Sequence, residues 1–434
     1  VSVPSWTLSG VSKVQQVLAR RPGRGVQVAL VVAVLALAEL PVVWHFLVTW
    51  PGDQWQVDLE VYREAGRSVL YGRPVYDVVT ESPQLLPFTY PPFSALLAVP
   101  LVALPFHAAG WLWAALQVAA TYLTVLIVFR PLLRRAGTWR FVAGALVTAP
   151  LLWIEPVSDG ARFGQVNAFI VLAVTADLVL ERGRRGSGGA LTGLATAVKL
   201  TPGVFLVHLV WSRQWARART MLAWLVGATV GAALLLPEAS IAFWTQALRD
   251  PGRLGENAGT SNQSIRGVLL RSGPEGTAGT ALWLLLVLVV ATVGFTLARR
   301  AHEAGELVTE VAVVGLLAVL LSPVAWIHHM AWMVVVIGAL VADGRNRRRL
   351  VMAGVLLVWF WLRMPWWGAH MAAPGGWGPH WLGRSLTNFD TLGGLVALAM
   401  LWTVVPRRRV AKAGADVGPE VSAADAVASV AAHR

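Results

Sequence analysis

The chain has 434 residues, of which 56% are hydrophobic and only 14% charged, with a formal net charge of +13. Apolar runs of about 16 to 23 residues recur along most of it, which excludes an ordinary soluble two- or three-domain protein and indicates an all-α polytopic membrane protein. There is no cysteine, so disulfides, thiolate nucleophiles and cysteine metal sites are excluded too. The basic excess does not point to nucleic acid. Its arginines fall in short clusters between apolar runs, where the positive-inside rule expects cytosolic loops. The 22 tryptophans suit anchoring at the membrane interface better than base stacking.

The first element is VQVALVVAVLALAELPVVWHFLV, residues 26–48, long enough to cross a hydrocarbon core of about 30 Å. Arg20, Arg21 and Arg24 precede it. It is longer than a signal-peptide core and no small-residue cleavage site follows. It therefore reads as an uncleaved anchor behind a cytosolic tail, residues 1–25.

The first outer segment, 49–91, carries the dense polar stretch QVDLEVYREAGRSVLYGRPVYD. A helix from Asp58 to Leu70 puts Val61, Tyr62, Ala65, Gly66, Val69 and Leu70 on one side. Glu60, Arg63, Glu64 and Arg67 fall on the other and read as its solvated back. Asp58 lies in the middle of the apolar side. It is either the helix N-cap or a carboxylate turned inward at the membrane boundary, where burial raises its pKa and makes it a usable base. The two readings are compatible. FTYPPF (88–93) fixes an extended segment at Tyr90, either as a rigid connector or as a ligand contact.

Further spans are expected at 110–129, 141–156, 166–181, 219–237, 280–298, 306–321, 325–342, 349–363 and 391–405. Basic clusters at 130–140, 181–185, 212–219, 299–303, 343–349 and 406–409 mark the cytosolic side. PPFSALLAVPLVALP (91–105) then begins and ends outside, and reads as re-entrant or as a helix lying at the interface. GALTGLATAVKLTPGVFLVHLVW (189–211) has basic clusters on both flanks. It reads as two short helices meeting near Lys199 to Pro202, because two full spans need about 40 residues. Counting both regions gives about 12 membrane helices in one catalytic domain, 26–405, followed by a cytosolic tail, 406–434, that is expected to be disordered. Polar segments 49–91, 238–279 and 364–390 gather on the outer face, and so does the expected chemistry.

Several residues there are candidates. GQVN (164–167) opens a span, and Gln165 and Asn167 either point amides at a sugar or satisfy helix-end backbone. Lys199 in KLTP is costly in an apolar hairpin unless it snorkels or meets an anion such as phosphate. SNQS (261–264) contributes Asn262 and Gln263, which read as substrate contacts or simply as solvated loop. In SPVAWIHHM (322–330), Pro323 starts a span and His328 and His329 occupy its first two turns, with at most one facing a cavity. Arg384 in GRSLTN is a further outer-face cation. No HExxH or Cys/His spacing supports zinc. No P-loop stands where a nucleotide could use it, and no DxD triplet offers carboxylates to a metal-bound sugar nucleotide. An external reaction needs a substrate already activated on a lipid.

The ordered set VDLEVYREAGRSVLYGRPVYD, FTYPPFSALLAVPL, GQVNAFIVL, KLTPGVFLVHL, SNQS and LLSPVAWIHHM resembles the actinobacterial polyprenol-phosphomannose-dependent α-1,2-mannosyltransferases of the GT-C class, over residues 26–405. Within them the chain looks most like the members that extend phosphatidylinositol mannosides. The resemblance implies a GT-C fold, Asp58 as the catalytic aspartate, polyprenyl-phosphate-mannose as donor and inversion to an α-linkage. Lys199, His328, His329 and Arg384 become candidates for the donor phosphate. Tyr62, Tyr90, Gln165, Asn167, Asn262 and Gln263 become candidates for substrate binding. A phosphatidylinositol mannoside is the expected acceptor, at the tetra- to pentamannoside step, on the outer face of the plasma membrane, with no cofactor or metal. Two other functions stay open: an enzyme that adds α-1,2 branches to lipomannan or lipoarabinomannan, and a flippase for lipid-linked sugars. The flippase predicts internal repeats and polar groups near mid-bilayer, neither of which the sequence displays.

Overall fold

A computed structural model describes residues 23–44, 55–180 and 188–406. The tails at 1–22 and 407–434, residues 45–54, and the basic cluster at 181–185 lie outside the described residues. The described residues are helical, and the isolated bridges Val79–Pro87 and Asn262–Trp326 are the only β pairings among them.

Two apolar helices form the centre. In Leu307–Leu320 every residue from Thr309 onward is buried, and in Met333–Val341 every residue through Leu340 is. Neither has a polar stripe, and a helix that is apolar all round belongs inside. The outer helices Arg24–Trp44, Trp215–Leu235 and Gly276–Glu303 do the reverse and expose Leu37, Val230 and Leu288 among many others. Water would penalise such a surface; hydrocarbon does not.

Among the described residues four helices are long and apolar enough to cross a membrane: Arg24–Trp44, Phe106–Val128, Trp215–Leu235 and Gly276–Glu303. The number rises to six if Arg130–Leu151 with Glu155–Phe163, bent by 87°, and Arg347–Trp361 with Met364–Ala372, bent by 42°, each count as one span. Six further apolar helices have 10–17 residues. The expected count of about 12 is therefore not reproduced by length, because many elements stop short.

Where they stop is informative. The 189–211 segment is two helices, Ala190–Val198 and Val204–Trp211, broken at Lys199–Gly203 as expected. Both feet stand at the start of Trp215–Leu235: Gly189 and Gly193 pack on the backbone of Arg217 and Met221, and Trp211 leads into the turn before Trp215. Lys199 is thus the tip of a re-entrant hairpin. The 91–105 segment forms a short helix, Pro92–Ala98, that tightens into the 3₁₀ turn Val99–Ala103. It packs along the polar-segment helix Val57–Leu70.

Two expectations for that helix change. Asp58 does not cap it; the N-cap is Gln56, in a left-handed conformation at φ 57°, and Asp58 sits inside the first turn. Arg63 is not on a solvated back either. It is 3% exposed and donates to the carbonyls of Leu101 and Leu104 (2.7 Å to the latter), which the end of a 3₁₀ turn leaves unpaired. Contact is close because residue 66 is glycine. A Cβ there would stand 2.7 Å from the Ala98 carbonyl oxygen, and backbone cannot swing away. Gly66→Val is expected to cost about 1–3 kcal/mol, read as a lower thermal midpoint of the detergent-solubilised protein, whereas Gly354→Ala, in open space within the helix Arg347–Trp361, does not lower the midpoint.

Candidate functional site

The site is assembled around the helix Glu155–Phe163, an element absent from the expected spans. The region 141–156 does not run straight: Arg140–Leu151 ends, and the chain turns through 87° into this crossing helix. Pro156 stands in its first turn, where the missing N–H has no partner to lose. Its carbonyls fasten the start of the Asp58 helix. Gln56 N donates to Arg162 O at 2.8 Å and Gln56 Nε2 to Ala161 O at 2.7 Å.

Gly164 ends the crossing helix at φ 75°, a region glycine enters without strain. Its carbonyl accepts from Trp113 Nε1 at 2.7 Å, and a Cβ on it would lie 2.9 Å from Leu59 Cβ. This sharp, tight turn delivers Gln165 to Asp58. Gln165 Nε2 donates to Asp58 Oδ2 at 2.6 Å, and Gln165 Oε1 lies 3.2 Å from the Tyr90 hydroxyl and 3.4 Å from that of Tyr62. The two hydroxyls are 3.1 Å apart.

Lys199 completes the cluster from the hairpin tip. Its Nζ lies 2.9 Å from His329 Nε2, donates to Asn167 Oδ1 at 3.0 Å, and reaches the Tyr90 hydroxyl at 3.4 Å. With Lys199 as an ammonium, which only donates, His329 Nε2 accepts and the ring proton is on Nδ1. Asn167 Nδ2 in turn donates to His328 O at 3.0 Å. His328 packs edge-on against Phe163, ring centroids 5.9 Å apart, and its buried Nε2 has no partner among the described residues. Both histidines lie in a 3₁₀ turn, Ile327–Trp332, preceding Met333–Val341. The span therefore starts later than Pro323, since Trp326 is extended and bridged to Asn262.

Eight expected residues thus meet: Asp58, Tyr62, Tyr90, Gln165, Asn167, Lys199, His328 and His329. Three do not. The Asn262 amide is taken up by Asn257 O, Ser264 N and Ala325 N. The Gln263 amide is taken up by Thr260 O, Thr387 O and Thr391. Both residues are fully buried and brace the loop behind the histidines instead of facing a ligand. Arg384 stands exposed on His380–Leu386, outside the cluster. A second charged group was missed. Arg363 bonds Asp159 Oδ1 at 2.5 Å and Ser158 Oγ at 3.1 Å, with Glu155 and Asp390 buried alongside. Its signal was present: Glu155, Ser158, Asp159 and Arg162 recur at helical spacing on one face.

Asp58 is half-buried. Burial pushes its carboxyl up to about 6, while the Gln165 hydrogen bond and the Lys199 charge hold it down. At neutral pH it is ionised, and Oδ1 has no hydrogen-bond partner among the described residues. Tyr62 and Tyr90 also form part of the wall of an apolar cavity of about 370 Å³, whose other walls include Leu97, Trp113, Phe169, Leu194 and Val198. The apolar cavity and the polar cluster therefore share a boundary at Tyr62 and Tyr90. Among the described residues no group of three or more His, Asp or Glu could hold a metal.

Residues 88–323, more than half of the chain, match Glycosyltransferase family 87. The chain belongs to that family. It is 35% identical over 373 residues to a polyprenol-phosphate-mannose-dependent α-(1-2)-phosphatidylinositol pentamannoside mannosyltransferase of Mycobacterium tuberculosis (strain CDC 1551 / Oshkosh), covering 82% of this chain and 83% of the relative. It is 33% identical over 351 residues to a polyprenol-phosphate-mannose-dependent α-(1-2)-phosphatidylinositol mannoside mannosyltransferase of Mycolicibacterium smegmatis, covering 73% and 77%. These are the PimE-like enzymes that the sequence motifs resemble. No solved structure is a significant match.

The turn at Gly164 is the most sensitive point of this geometry. Gly164→Ala is expected to cost about 1–2 kcal/mol from its left-handed backbone alone and to lower transferase activity at least about tenfold by displacing Gln165. A thermal midpoint and a turnover assay on the same preparation check both.

Proposed function

We propose that this glycosyltransferase is an inverting α-1,2-mannosyltransferase that moves mannose from polyprenyl-phosphate-mannose to a phosphatidylinositol mannoside. The observation that carries this is the shared boundary at Tyr62 and Tyr90 between the apolar cavity and the Asp58–Gln165–Lys199–His329 cluster. The cavity takes the first part of the polyprenyl chain, and the phosphate-linked sugar then lies over the cluster. The printed activities of the relatives support the same donor and acceptor class.

The step needs one base. Asp58 Oδ1 takes the proton of the acceptor mannose 2-hydroxyl as that oxygen bonds to the donor's anomeric carbon. The bond from that carbon to the phosphate oxygen breaks, and polyprenyl phosphate leaves with the electron pair. Attack opposite the leaving group turns the β-mannosyl donor into an α-linked product. Charge builds on the phosphate, and Lys199 at the hairpin tip, with the neighbouring imidazoles, answers it. The leaving group is already good, so no catalytic acid or metal is assigned. The basic clusters on both flanks of the 189–211 sequence support an active site on the outer side of the plasma membrane, with the tetra- to pentamannoside step as the favoured acceptor.

Purified protein with polyprenyl-phosphomannose and tetramannosylated phosphatidylinositol tests the proposal. Wild type is expected to transfer mannose, and folded Asp58→Asn to lose at least about 10²-fold of the rate, the usual scale for a general base. Undiminished transfer by that variant would falsify the general-base role. Lipomannan as a competing acceptor separates the branching activity, movement of the intact donor across vesicles separates a flippase, and chelator is expected to change nothing.

The pH profile is an independent check. Asp58 works only when ionised, and its carboxyl sits at about 6. Turnover should fall tenfold per unit as pH drops below about 6 and level off above it. A flat profile from pH 5 to 8 contradicts the assignment.

A further inference from the structure

Gln165 fits poorly as a sugar ligand. It is 3% exposed, and both ends of its amide already have partners. Those partners fix its orientation. Tyr90 accepts from Lys199 Nζ at 3.4 Å and from the Tyr62 hydroxyl at 3.1 Å, which leaves its own proton for Gln165 Oε1 at 3.2 Å. On the far side, a carboxylate can only accept. A flipped amide would set its oxygen 2.6 Å from Asp58 Oδ2, where the NH₂ now stands. The donors therefore run one way, from Lys199 through Tyr90 and Gln165 to Asp58. The backbone is pinned as well, since Gln165 N donates to Gly160 O at 2.9 Å.

We propose that Gln165 is a positioning residue for Asp58: its amide fixes Oδ2 and turns Oδ1 alone towards the acceptor hydroxyl. This rests on Asp58 being the base, as proposed above. Two consequences follow from the chemistry of the contact. The carboxylate cannot rotate to bond a neighbour, so the lone pairs of Oδ1 remain aimed at the reacting proton. The amide also stabilises the charged form against burial, which keeps the base ionised at neutral pH. An amide does not pass a proton on, so the chain orients and polarises; it does not carry the proton that Asp58 accepts. Tyr90, standing between Lys199 and Gln165, links the cation assigned to the leaving group with the base that activates the nucleophile.

The test measures kcat, and KM for the acceptor, from pH 5 to 9 for Gln165→Leu and Gln165→Met. Gln165→Leu removes the donor. Gln165→Met keeps the length of the side chain but has no donor for Asp58, and it carries the test alone if Gln165→Leu does not fold. Either change removes support for the charged base, so its ionisation moves up. The acid limb is expected to shift upward by about one pH unit or more, a tenfold change in ionisation constant. Activity lost at pH 6 should then return in large part by pH 8.5, with KM for the acceptor within about twofold of wild type. A folded variant whose acid limb stays at the wild-type position, or whose acceptor KM rises with kcat intact, overturns the proposal and makes Gln165 a substrate ligand or a structural amide. Asp58→Asn, run beside them, tells the two failures apart. If it is inactive and the limb does not move, only the positioning role falls; if it is fully active, the base assignment falls and the positioning role with it.

Discussion

A carboxylate beside hydrocarbon has to be held in its charged form, and the contact between Gln165 and Asp58 is where this protein does so. Burial alone would favour the neutral acid. One amide donor at 2.6 Å and the charge of Lys199 oppose that. The three residues come from separate places: an outer helix, the turn after the crossing helix, and the tip of a re-entrant hairpin. Each of those elements has to end where it does for the cluster to exist.

This explains why so many helices stop short. A hairpin that crossed completely would bury Lys199 among apolar side chains with no acceptor, at high cost. Because it turns back at Lys199–Gly203, the ammonium reaches Asn167, Tyr90 and His329 instead. The short Pro92–Ala103 element likewise does not close the wall between the outer helix and the hairpin. The space it leaves is the apolar cavity against Tyr62 and Tyr90. The polar cluster and the apolar cavity beside it are two results of the same truncated architecture.

Much of this was legible from local pattern. The break at Lys199 followed from basic clusters on both flanks, and the inward side of the Asp58 helix followed from its 100° periodicity. Other readings failed where a partner distant in sequence decided the outcome. Arg63 looked solvated on a helical wheel, but carbonyls at Leu101 and Leu104 claim it. Asn262 and Gln263 look like loop polarity, yet their amides bind the backbone at 257–264, 325 and 387–391. The crossing helix Glu155–Phe163 was hidden because its first residues complete an apolar run, while its buried polar face needs Arg363, some 200 positions away, to make sense.

The sequence by itself determined that the chain is an all-helical membrane protein, which segments are too short to cross, and which polar residues stand out against the apolar background. Those follow from composition and periodicity, which act locally. Only the tertiary structure decided what the polar residues do. It set Asp58 inside the first turn against the Gln165 amide and not at the N-cap, tied His329 to Lys199 through Nε2, took Asn262 and Gln263 into the scaffold, and left Arg384 at the surface. A hydrogen bond is set by distance and direction between groups that the chain brings together from far apart, and no local pattern encodes that meeting.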